Sequence, residues 1–245
     1  MNTSSEPVVI FENADFVVLN KPSGLQVHPA RVALTRHRQE RNEPMLTEWI
    51  VKHFPETKTV GDDPATRPGI VHRLDKETSG VMIVPRTQDF FERMKKLFQE
   101  HAVQKEYRAI VEGVLENTSG VIDAPIGIKN GTLKRSIHAT KMVKPAVTEY
   151  AVLQEGPAHD GKSYSLLSVM PKTGRTHQIR VHLRSIGHPI AGDTMYGSKK
   201  QPSFVKRLML HAHTISFSLG THQFVFEAPL PEEFTSFIKI STAAE

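Results

Sequence analysis

Short apolar runs rich in valine, isoleucine and phenylalanine recur along the whole chain, and they constrain its fold more than any other feature. Most of these runs are bounded by glycine, proline, asparagine or aspartate, which favour turns. β-Branched and aromatic residues between turn residues are typical of strands. The runs are Phe16–Leu19, Gly80–Val84, Tyr107–Val111, Val147–Leu153, Tyr164–Met170, Thr214–Phe217 and Phe224–Phe226. They predict a mainly antiparallel sheet.

Two further segments carry apolar residues at helical spacing. The first stripe runs from Leu46 to Phe54 behind Pro44, and the second runs from Phe90 to Phe98. Residues three and four positions apart share one face of a helix, so each stripe gives its helix an apolar side. The sequence therefore predicts two amphipathic helices that pack on the sheet.

A third helix is predicted from Thr176, as the N-cap, to Gly187, as the residue that follows the C-cap. We expect its apolar face to be buried and its basic face to point away from the core. The residues expected to be buried are Ile179, Leu183 and Ile186. The residues expected on the other side are His177, Arg180 and Arg184.

The length and composition favour a globular protein. A chain of 245 residues with 38% hydrophobic content can bury a core, and no repeat or linker divides it. We therefore predict a single domain over residues 1–245, either undivided or built from two subdomains that share a sheet, with short disordered ends at 1–6 and 241–245. The start lacks a signal-peptide pattern, and no apolar stretch reaches the roughly 18 residues of a membrane span. The absence of cysteine excludes disulfides, thiolate zinc sites and a cysteine nucleophile. We predict a cytoplasmic protein without membrane contact.

The charge balance permits a polyanionic partner without requiring one. There are 31 lysines and arginines against 26 acids, which gives a net charge of +5. Two segments, 31–43 and 129–144, are notably basic and resemble loops. A charge run of this kind is more often a solvated surface than a binding site. Charge alone therefore favours a nucleic acid only weakly.

The densest polar cluster interrupts two apolar runs in residues 69–84. It contains His72, Arg73, Asp75 and Thr78. One interpretation makes Asp75 a turn or cap residue that bonds to the backbone near Thr78. The other makes it a nucleophile or base held by an arginine. Spacing alone leaves both interpretations open.

A second polar cluster lies in residues 171–189, where the third helix is predicted to begin. Its basic residues are Arg175, His177, Arg180, His182 and Arg184. The turn at Gly174 and the free backbone N–H groups of a helix start suit an anion. The histidines lack the spacing of a helical zinc site, and no nearby carboxylate completes a ligand set, so no metal is expected.

Six strings, in this order, resemble the signature motifs of the RluA-type RNA pseudouridine synthase family. They are NKPSGLQVHP (20–29), HRLDKETSG (72–80), QKEYRAIVEG (104–113), PKTGRTHQIRVHL (171–183), GHPIAGDTMYG (187–197) and LMLHAHTISF (208–217). The resemblance covers nearly the whole chain. It implies the pseudouridine synthase fold of the α/β class, with a long, mixed but mainly antiparallel sheet, flanking helices and a central cleft.

The resemblance also assigns residue roles. It implies that Asp75 is the catalytic aspartate, that Arg180 pairs with its carboxylate, and that Tyr107 and Leu210 contact the two faces of the target base. Arg73 would help to fill the space of the flipped-out nucleotide. The same motifs make His72, Thr78, Arg175 and His177 candidate substrate-binding residues. Tyr107 and Leu210, taken without the motifs, would be ordinary strand core residues.

The activity that the resemblance implies is the conversion of uridine to pseudouridine in structured RNA. The expected substrate is 23S ribosomal RNA, and tRNA is the alternative. The sequence does not decide whether Asp75 attacks C1′, adds to C6 of the ring, or removes the 2′ proton. No cofactor or metal is expected, and the expected state is a monomer. The alternative functions are a non-catalytic RNA-binding or ribosome-assembly protein, and a glycosidase, for which no second carboxylate has recognisable spacing.

Many members of the family begin with a small basic RNA-binding domain of the S4 type, whereas this chain starts almost directly with the strand before NKPSG. We therefore expect the catalytic domain itself to contact the phosphates. The candidates are Arg31, Arg36, Arg38, Arg41, Lys129, Lys134, Arg135, Lys199, Lys200, Lys206 and Arg207.

Overall fold

The computed structural model of the chain describes residues 6–29, 44–129, 132, 134–158, 160–198 and 205–236. Several predictions lie outside these residues. They concern the chain ends at 1–5 and 241–245 and the candidate phosphate contacts Arg31, Arg36, Arg38, Arg41, Lys199 and Lys200. Within the described ranges, no helix is long and apolar enough to cross a membrane.

The described part of the chain contains strands, three α-helices that are described over their whole length, and further α-helical residues at 232–236. The strands are β1 (Val8–Glu12), β2 (Phe16–Lys21), β3 (Ser79–Pro85), β4 (Gln104–Glu112), β5 (Ser119–Asp123), β6 (Ile126–Ile128), β7 (Arg135–Ser136), β8 (Lys141–Lys144), β9 (Val147–Pro157), β10 (Ser163–Pro171), β11 (Leu210–Leu219) and β12 (His222–Glu227). The helices are α1 (Leu46–His53), α2 (Gln88–Gln99) and α3 (Gln178–Ser185). The predicted α/β class with a large, mainly antiparallel sheet is confirmed, and each predicted run lies wholly or mostly in a strand.

The chain divides into two compact units. The first extends to Val103 and also contains Ile215–Ala228, and the second contains Gln104–Thr214 and the residues from Pro229 onward. Strand β11 contributes its first half to the second unit and its second half to the first.

In the first unit the strand order is β1, β2, β3 and β11, with β12 also paired to β11. Strand β3 is buried along its whole length, because its VMIV run has apolar residues for both faces of the sheet. Helix α2 begins where the Thr87 hydroxyl accepts a hydrogen bond from the Phe90 amide, as an N-cap does. Phe16 of β2 stacks on Phe90 at a ring-centroid distance of 4.5 Å, so the helix closes over the sheet.

In the second unit β11, β4, β10, β9 and β5 follow one another in the sheet. The pairs β4–β10, β10–β9 and β9–β5 are antiparallel. The core contains residues from strands and from α3, among them Ile110, Leu167 and Leu183. Helix α3 therefore packs its apolar side onto this unit, and this packing fixes the positions of its polar residues.

The structure changes the interpretation of the basic segment 129–144. The sequence predicted a loop there, but β7 and β8 flank β6 in a separate three-stranded sheet. Both pairings to β6 are antiparallel. Lysines disfavour strands, so the segment gave no strand signal. The strands form because Ile126 of β6 packs with Ala146 and Val181, which fixes β6 as a template.

Candidate active site

The loop that carries Asp75 is a tight turn in the first unit. The Thr78 amide donates to the Asp75 carbonyl at 3.2 Å, and Thr78 is buried. Asp75 itself is half-buried. The bond that closes the turn uses the main-chain carbonyl of Asp75, and the two interpretations of the Asp75 side chain stay predictions. Its carboxylate is not required for that bond.

A second loop, from Pro22 to Leu25, donates hydrogen bonds to this turn. The Gly24 amide donates to the Lys76 carbonyl at 2.8 Å, and the Ser23 hydroxyl donates to the Glu77 carbonyl at 2.5 Å. The two loops belong to the first two family motifs. These contacts fix the backbone of Lys76 and Glu77, the two residues that follow Asp75.

The buried ammonium of Lys21 strengthens the same junction. Lys21 is 0% exposed, and its Nζ donates to the carbonyls of Pro22 and Leu25 at 2.8 Å and of Lys76 at 3.1 Å. A buried charge is costly unless it is hydrogen-bonded, so these carbonyls are part of what keeps Lys21 inside. In return the ammonium ties the Pro22–Leu25 loop to the Asp75 turn. The sequence reading did not single out this lysine.

His72 and Arg73 are neighbours in the same motif, but their side chains contact different parts of the first unit. His72 Nε2 accepts from the Ile83 amide of β3 at 3.0 Å, and its ring stacks on Phe98 at 4.9 Å. Arg73 is exposed, and its Nη1 lies 3.3 Å from Nε2 of the buried His28. His72 therefore anchors the motif to the sheet, while Arg73 presents a cation at the surface.

In the second unit, α3 begins one residue later than predicted. Its N-cap is His177 in the left-handed conformation (φ 57°) and not Thr176, whereas Gly187 follows the C-cap with φ 90° as predicted. Gln178 explains the start: its side-chain oxygen accepts from the Thr173 hydroxyl at 2.7 Å and from the Arg175 amide at 3.0 Å. The Arg175 amide is therefore already bonded within the protein.

The burial of α3 also departs from the prediction. Ile179 and Leu183 are buried as expected, but Ile186 is 37% exposed and Arg180 is 3% exposed. Ile186 is exposed because the helix ends at Ser185 and the chain turns away through Gly187. Of the three residues expected on the basic face, only Arg184 is exposed, while His177 is half-buried.

Arg180 is buried because it forms a bidentate ion pair with Asp193. Its Nε donates to Oδ2 at 2.7 Å and its Nη2 donates to Oδ1 at 2.9 Å. Asp193 is 1% exposed, and its Oδ1 also accepts from the amides of Met195 and Tyr196. Burial acts to raise the pKa of Asp193, but the hydrogen bonds and the charge of Arg180 outweigh it, so the pKa lies below its ordinary value. Asp193 is the buried partner of Arg180 that the sequence analysis missed, although it lies in one of the six motifs.

A glycine brings Asp193 to this position. Gly192 has φ 78°, and a Cβ there would lie 1.9 Å from the Arg207 carbonyl oxygen. The close backbone approach therefore requires glycine. Tyr196, at the other end of the turn, packs its ring under the Arg180 guanidinium at 5.3 Å.

The histidines of this region make contacts within the protein. His182 is buried, with Nδ1 2.8 Å from the Thr148 hydroxyl and Nε2 2.9 Å from the Ala124 carbonyl. Burial lowers the pKa of His182 below its ordinary value, against the opposite effect of the Ala124 carbonyl. His177 Nδ1 lies 2.9 Å from the Tyr196 hydroxyl. Among the residues that the structure describes, no group of histidines and carboxylates could hold a metal.

The remaining candidates lie in the second unit at different depths. Leu210 is buried in the core, and Tyr107 is a partly buried residue that packs against the same cluster. Arg175 is directed to the Pro145 carbonyl, to which its Nε donates at 2.9 Å. Lys129 and Lys134 are exposed on the basic three-stranded segment, while Arg135 is half-buried. The predicted pairing of Arg180 with Asp75 concerns residues of different units and stays a prediction.

Comparison with known proteins identifies the family. Residues 15–185 match the model of the RNA pseudouridylate synthase family. An uncharacterized RNA pseudouridine synthase of Bacillus subtilis is 36% identical over 98% of this chain and 75% of its own length. A protein of Nitrosomonas europaea named ribosomal large subunit pseudouridine synthase D is 36% identical over 94% of this chain and 64% of its own length.

Solved structures agree with the sequence relatives. The structure of human RNA pseudouridylate synthase domain containing 1 is similar with a TM-score of 0.73 and 26% identity, over 94% of this chain and 86% of that one. That of human RNA pseudouridylate synthase domain containing 4 gives 0.69 and 26%, over 94% and 91%. The predicted pseudouridine synthase fold is thus confirmed. The chain belongs to the RNA pseudouridylate synthase family and is an isomerase that converts uridine to pseudouridine in RNA.

Proposed function

We propose that this enzyme modifies specific uridines of large-subunit ribosomal RNA and that Asp75 is its catalytic carboxylate. The observation that supports the substrate is the name of several relatives, ribosomal large subunit pseudouridine synthase D, which align over 92–97% of this chain. A tRNA arm is the alternative substrate. A large-subunit RNA substrate would also fit the expected cytoplasmic location.

The reaction explains why a carboxylate is needed and a redox cofactor is not. The bond from C1′ to N1 breaks and a bond from C1′ to C5 forms, while C5 loses a proton and N1 gains one. The atoms of the nucleoside are therefore conserved. A carboxylate can attack C1′, add to C6 or remove the 2′ proton, and each of these steps needs an ionised Asp75.

The way in which Asp75 is held supports this role. Its turn is closed by the Thr78 amide, and the carbonyls of Lys76 and Glu77 accept three hydrogen bonds, two from the Pro22–Leu25 loop and one from the Lys21 ammonium. A catalytic group is effective when its supporting backbone is fixed, because no reorganisation is then needed at the moment of reaction. Asp75 is half-buried, so part of the residue stays exposed at the surface.

The other site residues are proposed with the roles that the family motifs imply. Arg180 would favour the ionised form of the Asp75 carboxylate, and Tyr107 and Leu210 would stack on the flipped-out base. Leu210 belongs to the hydrophobic cluster against which Tyr107 packs, so both residues lie in the second unit. His72, Thr78, Arg175 and His177 are proposed to shape the pocket, and Lys129, Lys134 and Arg135 to contact phosphates.

Mapping of pseudouridines in total RNA tests the substrate. RNA from a deletion strain is compared with RNA from its parent and from the deletion strain complemented with the wild-type gene or with Asp75→Asn. We expect one or more large-subunit sites to vanish on deletion and to return only with the wild-type gene. Loss of sites confined to tRNA would replace the proposed substrate. Return of the sites with Asp75→Asn would remove Asp75 as the catalytic group.

A purified Asp75→Asn protein separates catalysis from binding. Asparagine is close in shape to aspartate but is a poor nucleophile and a poor base. We expect no tritium release from RNA labelled at uridine C5, with RNA affinity and the thermal melt close to those of wild type. If the wild-type protein also binds RNA without any release, the non-catalytic RNA-binding alternative is favoured.

A further inference from the structure

His28 is held firmly in the first unit although its ring belongs to a loop. The preceding residues pair with the start of α1, since the Leu46 amide donates to the Gln26 carbonyl at 2.8 Å and the Thr47 amide to the Val27 carbonyl at 3.1 Å. The Gln26 side chain donates to the His28 carbonyl at 2.8 Å. His28 is 3% exposed, so its ring has little freedom.

The contacts of the His28 ring fix its tautomer. Nδ1 lies 2.8 Å from the Pro29 carbonyl oxygen, which can only accept, so Nδ1 carries the proton. In the neutral ring Nε2 then has a free lone pair, and Nη1 of Arg73 lies 3.3 Å from it. An arginine can only donate, so the contact requires this neutral tautomer.

The surroundings keep the ring neutral. Burial lowers the pKa of His28 below its ordinary value, and the positive charges of Arg73 and Arg67 lower it further, against the opposite effect of the Pro29 carbonyl. Arg67 and Arg73 are the charged groups that act on this ring among the residues that the structure describes. At neutral pH His28 is therefore an acceptor for Arg73.

A neutral acceptor differs from a carboxylate in its effect on the charge of Arg73. A carboxylate would orient the guanidinium and also cancel its charge. The imidazole lone pair orients one nitrogen and leaves the full positive charge, with the remaining N–H groups, on an exposed residue two positions before Asp75. Such a cation is suited to RNA phosphates or base edges next to the target uridine.

We propose that His28 is a positioning residue that holds the Arg73 guanidinium in the orientation in which it contacts RNA beside the modified uridine. This inference rests on the proposed function, because the RNA contact that we assign to Arg73 lies next to Asp75, the proposed catalytic residue. His28 itself contacts the protein and takes no part in the bond changes.

The test is a double-mutant cycle on RNA binding and turnover, with large-subunit ribosomal RNA transcribed in vitro as the probe. The variants are His28→Leu, which removes the acceptor, His28→Gln, which keeps an acceptor oxygen that does not titrate, Arg73→Gln, and the double variant His28→Leu/Arg73→Gln. His222→Leu, the same change at an exposed histidine of β12, is the matched control.

We expect His28→Leu to weaken RNA affinity by about tenfold, as for the loss of a hydrogen bond to a charged group, and His28→Gln to weaken it by less than about threefold. In the Arg73→Gln background, His28→Leu should have no further effect. The thermal melt of His28→Gln should match that of wild type. The RNA affinity of the wild type should fall as the pH drops below about 6.5, the ordinary pKa of histidine, because a protonated His28 cannot accept from Arg73. The affinity of His28→Gln should lack this decrease.

The opposite results would overturn the inference. An equal loss from His28→Leu with and without Arg73 would show that His28 does not act through Arg73. An equal loss in the Gln and Leu variants would exclude the acceptor as the cause, and a shared acid limb would exclude titration of His28. The binding readout does not depend on turnover. If no variant and not even the wild type forms pseudouridine, the proposed function fails while the cycle still decides this inference.

Discussion

The buried pair of Arg180 and Asp193 makes Asp193→Asn a sharp test of the energetics of this fold. The substitution keeps the shape of the side chain and the acceptor oxygen for one N–H group. It removes the negative charge opposite a guanidinium that is 3% exposed. It also replaces the second carboxylate oxygen, which accepts from Arg180 Nε, with an amide nitrogen that cannot accept.

The expected magnitude follows from burial. Removing one partner of a buried ion pair costs about 3 to 5 kcal/mol, because the remaining charge stays in the interior without compensation. For a chain of this size each kcal/mol lowers the Tm by about 2 to 4 °C, so a decrease of roughly 6 to 20 °C is expected. This loss is a large part of the total stability of a typical domain.

The pH dependence gives an independent check. The folded-state pKa of Asp193 lies below its ordinary value, so its contribution to stability is complete above about pH 4 and is lost as the pH falls through the folded-state pKa. The stability difference between wild type and Asp193→Asn should therefore be constant near neutral pH and shrink in acid.

Urea unfolding followed by circular dichroism measures the loss, with tritium release from C5-labelled RNA as the second assay. The control is Arg180→Met/Asp193→Leu, in which apolar residues replace both charges; it should recover much of the stability but none of the activity. A loss below about 1 kcal/mol in Asp193→Asn would refute the reasoning, because it would give the pair the weight of a surface ion pair. Recovery of activity in the double variant would remove Arg180 from the proposed site.

Three further predictions concern the proposed site. Tyr107→Phe should keep RNA affinity while Tyr107→Ala lowers it, because only the second loses the stacking face; equal losses in a binding assay would contradict stacking. Removing the exposed charges of Lys129 and Lys134 should reduce the slope of log affinity against log salt by about 0.7 to 0.9 per phosphate contact, and an unchanged slope would exclude both residues. Turnover should survive exhaustive chelation; loss in EDTA that zinc or magnesium restores without an effect on RNA folding would show a metal requirement.

Much of the fold could be predicted from local patterns in the sequence. Strands β2, β3 and β10 follow from apolar runs between turn residues, and α2 follows from the stripe to which Phe90, Phe91 and Met94 belong. These signals are local, since each depends on residues a few positions apart. The motifs also carried the family assignment, which composition and periodicity would not have given.

The sequence did not reveal which polar residues are buried and with what. Helical spacing placed Arg180 on the side away from the core, but Asp193, which follows a turn that only Gly192 can make, closes over it. The basic segment 129–144 forms strands because β6 offers it backbone partners. His28 is an acceptor for Arg73, which lies 45 positions later in the chain. The sequence by itself determined most of the helices and strands and the family, because those depend on local preferences and on motif order. The tertiary structure decided the partners of Arg180, Lys21 and His28, because a buried charge or lone pair is satisfied by whichever group the folded chain brings within hydrogen-bonding distance.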